Sequence, residues 1–174
     1  MSCYKIASGN DPNSFVFPTD QGWFYTVSFS SKTTLFKGYE ILENNGLSFE
    51  IIFVRSPLAD PTNDRDPLVG KTIQTILANQ FQQQDKQAIY FFWCDMHDRQ
   101  EAARARLFNK WHRLYNLPGW DLINFEMSDL DDEEHAYFAG LFIHLNHPNY
   151  VKMEQAFAQF LRKDVSTGKW VNWY

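Results

Sequence analysis

Cysteine is scarce: Cys3 and Cys94 are the 2 in a chain of 174 residues. Two isolated thiols provide neither a disulfide framework nor the ligand spacing of a zinc site, and they suit a reducing, cytoplasmic setting. Basic residues are in deficit, with 16 Lys and Arg against 21 Asp and Glu and a formal charge of −5. That balance argues against a dedicated nucleic-acid binder, which carries a basic surplus. Long apolar runs are missing too. The longest, Ala88 to Cys94, falls far short of the ~20 residues that a bilayer span requires. The opening MSCYKIASGNDPNSF has no apolar stretch of the kind a secretory signal needs. No internal repeat is present.

Familiar catalytic signatures are absent as well. There is no G-x-S-x-G, no H-E-x-x-H and no Cys–His pair at a recognisable spacing. VGKT at 69–72 echoes the end of a phosphate-binding loop, but Arg65 stands where that motif needs glycine. DLDDEE lacks the glycine and spacing of a calcium loop, and His144 and His147 have no evident third ligand.

Aromatic residues, by contrast, are abundant, at 17% of the chain with 16 Phe, 8 Tyr and 6 Trp. Large rings in this number imply packed layers and one core, hence a single domain over residues 1–174. Residues 1–21 mix Gly, Pro, Asn and Asp and read as irregular or weakly paired. From Trp23 the pattern alternates, with Trp23, Tyr25, Val27 and Phe29 on one face of a strand. Residues 37–42 suggest a short strand. A second alternating strand carries Leu47, Phe49, Ile51 and Phe53 after the NNG turn.

A proline-rich loop then leads to a helix starting near Asp66, with Pro67 in its first turn. AIYFFWC is apolar at every position, as befits a central strand covered on both faces. A helix over 99–115, a hairpin of two strands around an acidic turn, and a helix capped by Asn146 or His147 complete the order. Residues 164–174 form an aromatic tail. The expected fold is α+β (mixed α/β). It has a single mixed sheet of about five to six strands, a central strand flanked by two right-handed β-α-β crossovers, and three helices packed on it.

Ligands of such sheets bind beyond the carboxyl ends of parallel strands. Those ends bring Arg55, then Asp95, His97 and Asp98, then Asp129 with Asp131 and Asp132. Asp95, Asp98 and Asp129 could hold a hard cation, although Asp95 and Asp98 equally suit the start of a helix. At 100° per residue, Leu107, Phe108, Trp111, Leu114 and Tyr115 form one helix face, with Arg104 in its middle. An inward arginine needs an acid, and Asp95, Asp98 and Glu50 are the candidates. Arg99, Arg106, Lys110 and Arg113 form a separate basic stripe.

The segment CDMHDRQEAARARLFNKW resembles a family of small bacterial proteins of unknown function, found mostly in Bacteroidota. The similarity rests on Cys94, Asp95, Asp98, Ala103, Arg104, Arg106 and Phe108, with Thr72 and Ile73 in the preceding helix. Arg99 stands where the family pattern has glycine. The resemblance implies no activity, substrate or cofactor.

The expectation is a small cytoplasmic interaction or regulatory module with no evident cofactor. It would meet a protein partner, or a second copy, through Arg55, the basic stripe, the acidic turn Asp129 to Glu134, or Trp170 and Trp173 of the tail. The alternative is a metal-assisted hydrolase or phosphoryl-transfer enzyme using Asp95 and Asp98, with Arg104 orienting an anion. Nucleic-acid binding through the basic face of helix 99–115 is the third reading.

Overall fold

The computed structural model describes residues 3–45, 47–58, 62, 66–94, 101–115, 117–128 and 136–165. Its strands are β1 (Ala7–Ser8), β2 (Ser14–Pro18), β3 (Trp23–Ser31), β4 (Ser48–Pro57), β5 (Ile89–Trp93), β6 (Trp120–Ser128) and β7 (Ala136–His144). Its helices are α1 (Glu40–Glu43), α2 (Pro67–Gln83), α3 (Glu101–Tyr115) and α4 (Tyr150–Val165). The seven strands form one mixed sheet in the order β1-β2-β3-β4-β5-β7-β6. The sheet therefore has more strands, and the fold one more helix, than the sequence pattern suggests. Two of the strands, β1 and β2, lie in the stretch read as irregular and pair antiparallel. Residues 37–42, expected as a strand, instead enter the single turn of α1.

Strand direction follows from the connections. β2, β3 and β4 form an antiparallel meander. β4 and β5 are parallel and joined through α2, while β7 is antiparallel to both β5 and β6. β4, β5 and β6 thus run the same way, and their carboxyl ends share one edge of the sheet. The central strand β5 pairs in parallel with β4 only, because β7 is inserted between β5 and its crossover partner β6. Both crossovers step in the same direction across the sheet. A common handedness then places α2 and α3 on the same face, and the two helices do contact each other.

Two cores result. On the α2–α3 side, Val69, Ile73, Ile76, Leu77 and Phe81 pack on Phe17, Val27, Phe29, Ile51, Tyr90 and Phe92. On the other side, Met153, Phe157, Phe160 and Leu161 of α4 pack with Phe36 on Ile89, Phe91, Leu141 and Ile143. β5 is buried on both faces because alternate residues belong to different cores. Full burial of such a side chain contributes about 1.5–3 kcal/mol.

Helix starts are set locally. Asp66 caps α2, its Oδ1 accepting a bond from the Leu68 N–H at 2.9 Å, with Pro67 next. VGKT is part of this helix, not a phosphate loop. Gly70 lies directly beneath the indole of Trp111, and a Cβ there would collide with the ring. α4 begins three residues beyond His147. The His147 carbonyl accepts from the Tyr150 N–H at 3.1 Å, and its Nδ1 accepts from the Asn149 N–H at 3.0 Å.

Candidate functional site

Arg55 is close to the carboxyl end of β4, as the sequence order implies. Its guanidinium lies over the Trp23 ring, 3.7 Å from the centroid. This is cation–π geometry, which also holds the fork of donors at the surface. The Trp23 indole is also held at its edge, its N–H donating to the Thr62 carbonyl at 2.6 Å.

α3 forms the opposite wall, with its phase turned from the one expected. Ala105 is its buried residue, with Phe108 and Trp111 packed partly into the core. His112 turns inward against Phe142, with ring centroids 5.7 Å apart. Leu107 is 42% exposed and Leu114 61%, so they do not belong to the packed face as read from the sequence. The reason is the weight given to bulk. Alanine and histidine count for little in an apolar pattern, yet they are the residues that fit closest to the sheet.

Arg104 consequently does not occupy the centre of the buried face. It is partly buried, one position before Ala105. Glu50 is not its acid. That carboxylate pairs with Lys32 at 3.4 Å and shares the register of Phe91, which faces the α4 core. Asp95, His97, Asp98, Arg99, Asp129, Asp131 and Asp132 lie outside the described residues, as do Trp170, Trp173 and Tyr174. Among the described residues no group of three or more His, Cys, Asp or Glu is arranged to hold a metal ion. Likewise, no described helix is long and apolar enough to cross a membrane.

Between these walls is a cleft of about 220 Å³, lined by Trp23, Tyr25 and Arg55 from the sheet and by Leu107, Lys110, Trp111, Leu114 and Tyr115 from α3. Asp66 is the carboxylate among its described lining residues, already committed to the α2 cap and to the Tyr4 hydroxyl, which donates to Oδ2 at 2.7 Å. Burial, reinforced by that bond, pushes the Tyr4 phenol up to about 12. Neither Arg55 nor Lys110 has a carboxylate partner among the described residues. Arg106 and Arg113 continue the exposed basic strip on α3.

The cleft thus joins Arg55 to one member of the basic stripe, Lys110. It adds Trp23 and the two leucines, which sequence reasoning missed. Trp23 reads as an ordinary strand residue. The available signal was Leu107, Lys110 and Leu114, spaced to share a helix flank away from Ala105.

The arrangement offers two cations, ring faces and exposed aliphatic carbons. No curated protein and no solved structure matches the chain. The profile of a family of unknown function, DUF6169, matches residues 65–159, more than half of the sequence, and the chain belongs to that family.

Proposed function

We propose that the protein is an interaction module that docks a protein partner in the cleft between α3 and the β3–β4 end. The docked segment carries carboxylates beside apolar side chains. What supports this reading is the pairing of Arg55, stacked on Trp23 and without a carboxylate partner among the described residues, with Lys110 and two exposed leucines across one cleft. Docked surfaces take most of their energy from aromatic and arginine anchors, and water exclusion strengthens their charge pairs. A nucleic-acid backbone fits less well, because the chain as a whole is acidic.

The test is selection from a displayed peptide library against the full chain. Selected peptides should place Asp or Glu next to Leu or Phe, and their affinity should fall with salt. Arg55→Glu with Lys110→Glu should weaken binding by at least about 2 kcal/mol, roughly thirtyfold. Selection without acidic bias, or binding untouched by the double reversal, would refute the reading.

A further inference from the structure

On the opposite face of the sheet, α1 and α4 enclose a second concavity. It is a groove of about 930 Å³, a volume in the range that takes small ligands and short peptide segments. Its lining is unusual in chemistry. Asn44, Asn45, Gln87, Asn149 and Gln159 bring five carboxamides to one groove. Ile41, Met153 and Ala156 provide apolar surface among them. Glu40 and Arg162 both border the groove, so its charged groups are of opposite sign.

Each carboxamide offers one acceptor and two donors. A row of them therefore complements a ligand that both donates and accepts at short intervals and has no net charge. A peptide main chain does this along its length, since a side-chain carboxamide is chemically a peptide group.

A phosphate or polyanion fits less well, because it would meet one cation with a carboxylate also at the groove.

We propose that this groove binds an uncharged, extended peptide segment through its carboxamides, with small apolar side chains of the segment set against Met153 and Ala156. The proposal shares no residue with the cleft beside α3, so either site can fail without the other. Main-chain hydrogen bonds would give the affinity and the apolar floor the register.

Side-chain amide resonances read this directly. The ¹⁵N-labelled full chain is titrated with the blocked peptide N-acetyl-Ala-Leu-Ala-Leu-amide, and in parallel with maltotriose and with inorganic phosphate. The expected result is a saturable shift of the Asn149 and Gln159 side-chain NH₂ signals with the peptide alone. Gln159 is exposed, so Gln159→Ala should leave the fold intact while weakening binding about fivefold, the loss of one hydrogen bond. Asn149→Ala serves as a second variant. Arg55→Glu should change nothing here. No shift with peptide, an equal shift with maltotriose or phosphate, or unaltered affinity in both alanine variants would overturn the proposal.

Discussion

His144 and His147 sit at the corner where β7 hands over to α4, and each uses its imidazole in the same way. Nδ1 of His144 accepts from the Asn146 N–H at 3.0 Å, and Nδ1 of His147 accepts from the Asn149 N–H at 3.0 Å. With Nδ1 accepting, the proton of His147 is on Nε2, which donates to the Gln87 carbonyl at 3.1 Å. Burial lowers both imidazoles from the ordinary value of 6.5, and Lys86 adds to this at His144. At His147 the Gln87 carbonyl and Asp85 oppose the shift, while His144 reinforces it.

The unfolded chain therefore binds protons that the folded chain refuses. Stability is fully present above the unfolded value near pH 6.5 and is lost as pH falls through the lower folded values. Unfolding followed from pH 7.5 to 5 should show the midpoint falling with acid, and His147→Gln should flatten that slope. An identical slope in the variant would remove His147 from this role. The sequence placed both histidines at a strand end and a helix start, and their pairing with backbone amides supplies the reason they are there.

Among the elements, those with dense apolar patterns were legible and those whose packing depends on small residues were not. In α2, Val69, Ile73, Ile76, Leu77, Gln80 and Phe81 are all buried, as their spacing implies. In β5, apolar at every position, burial extends to both faces. In α3 the expected phase fails because Ala105 and His112 pack inward, leaving Leu107 and Leu114 outside. β1 and β2 were hidden by turn residues, and their pairing with the meander depends on the distant β3.

The α2–α3 contact has the same character. Gly70 leaves just enough space for Trp111, and Trp111 in turn lines the cleft. In an exposed helix Gly→Ala stabilises by about 1 kcal/mol. Here the overpacking term should win, so Gly70→Ala should destabilise by about 1–2 kcal/mol in urea unfolding. An increase in stability would show that the helices are not in close contact at this point.

At the scale of the whole molecule, the described residues form a concave surface on each face of the sheet. The cleft on the α3 side sits where β4 delivers Arg55, and the groove on the other side is walled by α1 and α4. The carboxyl edge shared by β4, β5 and β6 was legible because strand direction follows from the crossovers. The cleft beside it was not, because Trp23 and Leu114 are brought together by tertiary packing across about half of the sequence.

Indole resonances test the docking claim most directly. The ¹⁵N-labelled protein is titrated with an acidic, leucine-bearing peptide taken from the library selection. Docking in the cleft predicts that the Trp23 and Trp111 indole signals move together and saturate, that Trp93 and Trp120 in the cores stay in place, and that Arg55→Glu abolishes the change. Movement of Trp93 or Trp120 with Trp23 unmoved, or a response that survives Arg55→Glu, would contradict it.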